Sequence, residues 1–289
     1  MNDHMIRGTA FNGEVRFFAA DTKETVEEAR QIHNTSPLCT AALGRMLTAG
    51  AMMGTMGKSE SDIVTLKIDC DGPVKSITVT ADVNANVKGI IYNNNVDLPL
   101  RADKHLDVGS GIGKGMLSVI KDLGLKDPYV GQTALRTGEI AEDLTYYFAE
   151  SEQIPTSVAL GVLVDRDRSV KAAGGFIIQL MPFASEETIT AIEKKLSEFD
   201  SVTNRLDAGD TPELMMKSVL GDIEVEEKIP VRYHCNCSRD RVKKALISIG
   251  RKEIESMISE EKSVNLHCDF CNKDYKFTID ELKEILKML

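Results

Sequence analysis

Cys235-Asn236-Cys237 and Cys268-Asp269-Phe270-Cys271 stand 30 residues apart and hold four of the six cysteines of a 289-residue chain. Two close thiol pairs at that separation can converge on one tetrahedral zinc, each pair giving two sulfurs. Residues 232–289 therefore read as a small zinc-binding module, and their patterning fits. Val242, Ala245, Leu246 and Ile249 form a helical face closed by Gly250, and Ile254, Met257 and Ile258 suggest a short second helix. Val264 to His267 and Tyr275 to Phe277 flank the second cysteine pair as a small hairpin. Thr278-Ile279-Asp280-Glu281 is a capping-box start for a last helix carrying Leu282, Ile285, Leu286 and Leu289. A module of 58 residues is marginal by itself. Zinc in small structural sites contributes an apparent ~10–16 kcal/mol near neutral pH, enough to decide whether the module is folded.

Upstream of the module the chain turns acidic. Ala184 to Val231 carries 5 basic against 12 acidic residues. Within it, Ile189, Ile192, Leu196 and Phe199 make one apolar stripe. Thr211-Pro212 is a cap followed by proline at the first helical position, leading into Leu214, Met215, Val219 and Leu220 before Gly221. So short and acidic a segment cannot bury enough apolar surface to fold alone. Residues 182–231 are expected to form a helical linker that depends on docking to its neighbours, although a pair of ordinary surface helices is the plainer reading.

Residues 1–181 mix strands and helices without regular βαβ spacing, which predicts an α+β domain with a largely antiparallel sheet. Asn12-Gly13 between Ile6 to Phe11 and Val15 to Ala20 signals a two-residue hairpin turn. Asp71-Gly72-Pro73 marks a second hairpin, between Ile63 to Ile68 and Val74 to Val79. Helical periodicity appears in Thr22 to Arg30, in Ala41 to Met53, and from Glu139 to Glu150, where Ile140, Leu144, Tyr147 and Phe148 share a face. Ser157 to Val164 and Val170 to Leu180 are β-rich. Gly109-Ser110-Gly111-Ile112-Gly113-Lys114-Gly115 fits neither a dinucleotide fingerprint nor a P-loop and reads as a flexible loop before a strand at Met116 to Ile120. The trio Glu139, Glu142 and Asp143 reads as a solvated first helical turn, where acids favour the positive end of the helix.

Composition removes several function classes. A formal net charge of -10 argues against broad nucleic-acid binding, which needs surplus Lys and Arg to neutralise phosphate. The zinc module's one basic cluster, Arg239, Arg241, Lys243 and Lys244, follows the first cysteine pair. The start of the chain has no basic stretch leading into an apolar run, and no segment approaches the roughly 18 apolar residues of a membrane span. A cytoplasmic protein is expected, with its thiols kept reduced. Without a nucleophile elbow or a His-Glu-x-x-His motif, and with His4, His33 and His105 isolated, no enzyme activity is expected.

The cysteines remain as the chemistry. Four thiolates on zinc leave no open position for water, which disfavours Lewis-acid hydrolysis. His234 and His267 each precede a cysteine pair, but four sulfurs already complete the tetrahedron, so both are read as non-ligating. Zinc holds its sulfurs as thiolates, the form that oxidants attack. Cysteines two and three apart can approach disulfide distance locally, and strained disulfides are readily reduced again. Spacing therefore permits a reversible switch, while a permanent structural zinc stays open beside it. Two further readings are a thiol-disulfide oxidoreductase using Cys268 and Cys271, and a zinc-ribbon nucleic-acid module using the basic cluster. Cys39 and Cys70 are expected to be buried free thiols.

Cys235-Asn236-Cys237-Ser238-Arg239 and Cys268-Asp269-Phe270-Cys271, with Gly138 to Leu144, Tyr147-Phe148 and Ser151 to Pro155, resemble the thirty-three-kilodalton heat-shock family of redox-regulated bacterial chaperones. Ala42 to Arg45, Gly72-Pro73, Lys121 to Gly124 and Gly174 to Phe176 extend the resemblance over essentially the whole chain. The resemblance implies an ATP-independent holdase that binds unfolding client proteins during oxidative stress. It implies one Zn²⁺ per chain on Cys235, Cys237, Cys268 and Cys271 in a reduced, inactive form. Oxidation would join Cys235 with Cys237 and Cys268 with Cys271, release the zinc, unfold the module, destabilise the linker and give an active form that is commonly a homodimer. The family pattern assigns no role to Cys39 or Cys70.

Overall fold

The protein is described by a computed structural model covering residues 3–260 and 263–289. Met1 and Asn2, which open the amino-terminal stretch read above, and Glu261 and Lys262 lie outside the described residues. The chain divides into two compact units, one ending at His234 and one running from Cys235 to Leu289.

The first unit begins with the antiparallel pair β1 (His4–Ala10) and β2 (Val15–Asp21). Their turn is wider than the two residues predicted. Ala10 pairs with Val15, and Phe11, Asn12 and Gly13 all have positive φ. Asn12-Gly13 supplied two of these left-handed positions, but Phe11 shares the conformation. Helices α1 (Lys23–His33) and α2 (Pro37–Gly54) follow. Next come β3 (Ile63–Cys70), β4 (Ser76–Asp82), β5 (Asn86–Ile91), α3 (Val108–Ile112), β6 (Gly115–Asp122) and β7 (Tyr129–Ala134). After α4 (Ala141–Tyr147), a π-helical turn over Phe148–Glu152 leads to β8 (Thr156–Val164) and β9 (Val170–Leu180). The unit closes with α5 (Glu186–Ser197), α6 (Val202–Asp207), α7 (Pro212–Leu220), β10 (Ile223–Pro230) and β11 (Arg232–Tyr233).

These strands make two sheets, one ordered β10-β1-β2-β9-β8 and the other β11-β5-β4-β3-β6-β7. All pairings are antiparallel except β11 with β5, so the α+β class stands. Helix α2 packs against strands of both sheets. Every one of its residues except Pro37 and Arg45 is buried, as expected of a helix that is apolar all round. It starts earlier than the periodicity suggested because Ser36 caps Cys39 and Pro37 occupies the first turn, where a missing N–H costs nothing. A side chain at Gly50 would place its Cβ 2.6 Å from Val79 Cγ1, so glycine is what lets this helix approach β4 so closely.

The five-stranded sheet is covered on both faces. Met5, Phe18, Ala20 and Ile177 face the α2 side, while Ile6, Phe17, Ala19, Phe176 and Ile178 join a second core with Ile192, Val202, Met215, Met216, Val219 and Leu220. Helices α5 to α7 thus lie on the outer face of this sheet, which explains the apolar run Phe17 to Ala20 in β2. Phe176 and Phe199 meet edge-to-face, with centroids 5.4 Å apart. Leu214, read from sequence with Met215, Val219 and Leu220 as apolar residues of the helix after Thr211-Pro212, instead faces solvent. The acidic stretch was also expected to be helical throughout, but its end, Ile223–Pro230, is strand β10 on the edge beside β1. Ile223, Val225 and Ile229 carry a strand's alternation that the intervening glutamates obscured.

Other expectations change for local reasons. Gly109 to Gly115 contains the short helix α3, whose Asp107 cap accepts from Ser110 N, rather than a loop alone. Of the acidic trio, Glu142 is exposed in the first turn of α4 as expected, but Glu139 and Asp143 are not solvated. Glu139 bonds Arg45 at 2.6 Å and Arg101 at 3.1 Å, and buried Asp143 accepts backbone N–H groups of Arg136 and Thr137. Cys39 is buried as expected, whereas Cys70 is only half-buried at the end of β3.

Candidate metal centre

The second unit consists of α8 (Arg239–Ser248), α9 (Arg251–Ser259), the hairpin β12 (Val264–Cys268) and β13 (Lys273–Phe277), and α10 (Ile279–Leu286). Each element matches one expected from the sequence, including the reciprocal capping box between Thr278 and Glu281. Its core has five buried residues, Leu246, Ile254, Phe277, Leu282 and Ile285. Arg239 braces this core from outside. Its guanidinium lies 4.5 Å from the Phe277 ring centre and bonds Glu281 at 2.5 Å and the Lys276 carbonyl at 2.9 Å.

Both cysteine pairs sit where the chain is held tightly. Cys237 immediately precedes Ser238, whose side chain accepts from Arg241 N and starts α8. Cys268 ends β12, and its carbonyl accepts from the N–H groups of Cys271 and Asn272, with Asn272 in the left-handed region at φ 54°. This turn brings Cys271 back beside Cys268.

The structure gathers Cys235, Cys237, Cys268 and Cys271 so that their sulfurs all lie within 4.8 Å of one another. Cys237 and Cys271 sulfurs are 3.2 Å apart, and those of Cys235 and Cys268 are 3.7 Å apart. Thiolates on one tetrahedral zinc stand about 3.8 Å from each other, so this donor set fits the ion without rearrangement of the backbone. Its short sulfur contacts run between the pairs as well as within reach of each sequence neighbour. Proximity in the reduced arrangement therefore does not choose a disulfide partner.

The histidines stand aside. His267 Nδ1 lies 2.8 Å from Asp274 Oδ1 and its Nε2 lies 3.3 Å from Asn272 Oδ1, so neither ring nitrogen is turned to the sulfurs. Asp274 raises the His267 pKa, chiefly through that hydrogen bond. His234 is exposed and belongs to the first unit, where its N–H bonds the Val87 carbonyl.

Sequence reading missed Tyr275, whose hydroxyl lies 3.1 Å from the Cys237 sulfur. The strand alternation of β13 held the signal, since Tyr275 and Phe277 point to one side of a hairpin that begins at the cysteine turn. Burial opposes ionisation of Cys237, but hydrogen bonds from Tyr275 and the neighbouring cysteines outweigh it and bring the thiol to about 7. The same contact with Cys237 pushes Tyr275 up to about 12. Burial raises Cys235 and Cys271. Crowded, desolvated sulfurs of this kind are relieved by a cation that lets them ionise together.

The Hsp33 protein family profile matches residues 3–278. The chain belongs to the Hsp33 family. It is 57% identical over 288 residues to a 33 kDa chaperonin of Lachnoclostridium phytofermentans, covering 99% of each chain. A 33 kDa chaperonin of Agathobacter rectalis is 55% identical over 287 residues, covering 99% of this chain and all of the relative. A crystal structure of the Thermotoga maritima 33 kDa chaperonin, a heat shock protein 33 homolog, superposes with a TM-score of 0.89 at 38% identity, covering 100% of this chain and 99% of that one. Hsp33 membership makes this a chaperone-family chain whose four clustered cysteines are compatible with redox regulation. Among the described residues no helix is long and apolar enough to cross a membrane.

Proposed function

We propose that the chain is a redox-regulated, ATP-independent holdase of the cytoplasm, with residues 1–181 as chaperone core, 182–231 as a metastable linker and 232–289 as the redox module. The observation that carries this reading is the convergence of all four sulfurs in a unit whose described residues include only five in a buried core. In the reduced form Cys235, Cys237, Cys268 and Cys271 hold one Zn²⁺, which ties the hairpin turn to the start of α8. A peroxide accepts two electrons from each cysteine pair and is reduced to water as an S–S bond forms. Closure of Cys235 with Cys237 and Cys268 with Cys271 withdraws all four donors.

Withdrawal removes a contribution that exceeds the core's own. Zinc ligation at ~10–16 kcal/mol is comparable to the ~5–15 kcal/mol net stability of a whole domain. Unfolding of the module then destabilises the linker, and apolar residues such as Ile192, Met215, Met216 and Val219 come away from the sheet to enlarge the surface for unfolding clients. The active form is a homodimer. Across a peroxide series, bound zinc, free thiols and suppression of client aggregation should change together; zinc loss without any gain in suppression would overturn the reading.

A further inference from the structure

We propose that Tyr275 is a positioning residue that sets the oxidant threshold of the metal centre by hydrogen-bonding the Cys237 sulfur and slowing its attack on peroxide. The inference rests on the redox reading of the four cysteines and deepens it. Tyr275 lies in β13 opposite Leu266 of β12, with its ring partly buried against the module's core. That packing holds the hydroxyl 3.1 Å from Cys237. A thiolate can only accept, so the tyrosine donates.

The consequence follows from the acceptor's charge. A sulfur held on a cation is already a thiolate, so the fraction ionised no longer limits its reactivity. What limits it is the electron density it can offer an oxidant, and a donated hydrogen bond withdraws part of that density. The surroundings of Cys235 and Cys271 include the backbone N–H groups of Cys237 and Lys273, and a neighbouring cysteine also faces Cys235. Cys237 takes a donor from a side chain. Its protection can therefore be tuned by one residue with the fold unchanged.

In the step concerned, the Cys237 thiolate attacks one oxygen of hydrogen peroxide, the O–O bond breaks, and hydroxide leaves. The Cys235 thiolate then attacks the sulfur of the resulting sulfenic acid, the S–O bond breaks, S–S forms and hydroxide leaves. Loss of the Tyr275 hydrogen bond should lower the first barrier, because part of the charge on sulfur is spent in the transition state.

The test is Tyr275→Phe in the full-length, reduced, zinc-loaded protein, which keeps the ring and its packing. Peroxide-driven zinc release, read with a colorimetric chelator, should accelerate roughly three- to tenfold. Peptide mapping should show the Cys235–Cys237 segment oxidised earlier than in the parent, while zinc transfer to the chelator without peroxide stays unchanged. Equal peroxide rates in the two proteins would overturn the inference. Equal acceleration with and without peroxide would also overturn it, because Tyr275 would then act by retaining the metal. A parent protein that keeps its zinc in peroxide sinks the redox reading instead; alkylation of Cys237 by iodoacetamide still reports on Tyr275, with faster labelling of the variant supporting its role and equal labelling removing it.

Discussion

Helix α2 and the metal centre hold their units together by opposite means. Around α2, two sheets bury a helix on nearly every side, and the closest approach is set by a glycine against Val79. In the second unit the described residues bury only five side chains, with partly buried neighbours packed around them, and four sulfurs converge beside them. The first arrangement draws on apolar area spread over many side chains, so no single chemical event removes it. On the function proposed above, the second concentrates stability in one set of donors that an oxidant can convert together. The difference teaches how one chain can remain folded while part of it is conditional.

Chelation should break the comparison most sharply. Stripping metal from the reduced protein should cost the second unit about 10 kcal/mol or more, seen as loss of amide protection in α8 to α10 while α2 stays protected. Equal protection of both units after zinc removal would show that the five-residue core suffices. Leu47→Ala makes the converse test. It should destabilise the first unit by about 2–5 kcal/mol in urea titrations, with zinc content unchanged at one per chain.

Two smaller effects sharpen the contrast. Glu27 on α1 bonds Arg30 at 2.6 Å and accepts from Val170 N in β9. The Arg30 hydrogen bond, helped by Val170 and Gln31 and opposed by burial, brings its carboxyl down to about 2. A depressed carboxylate contributes stability above its unfolded value of about 4.3 and loses it as pH falls through its folded value. Glu27→Gln should therefore cost about 1 kcal/mol near pH 7, a difference that shrinks between pH 4.3 and 2. Urea midpoints at several pH values would show it, and a constant difference would refute the assignment. Thr278→Ala removes half of a capping box and should cost the second unit about 1 kcal/mol. That loss should appear in the zinc-loaded protein as a lower urea midpoint of the second unit by circular dichroism, with the first unit's midpoint unchanged.

Local chemistry made much of this legible. The cysteine pairs located the second unit because two short spacings have few uses in a reduced protein, and its capping box and hairpin are written in adjacent residues. The face of Ile140, Leu144, Tyr147 and Phe148 was legible for the same reason, and all four are buried. What escaped depends on distant partners. Strand β10 is recognisable only once β1 offers an edge, and Asp143 is a buried acceptor only because the loop at Arg136 and Thr137 turns its N–H groups inward. Tyr275 escaped because a hydroxyl near sulfur leaves no spacing rule in the sequence.

Strand β10 also gives the acidic segment a second kind of attachment. Helices α5 to α7 are held by apolar contact, which is non-directional and yields gradually. Ile223–Pro230 is held by a ladder along β1 from His4 to Ala10, with one irregularity between Arg7 and Gly8. If that ladder opens, β1 becomes the edge of its sheet. What is uncovered is then a row of unpaired backbone donors and acceptors with a fixed direction and register, a template for any extended chain as well as an oily surface.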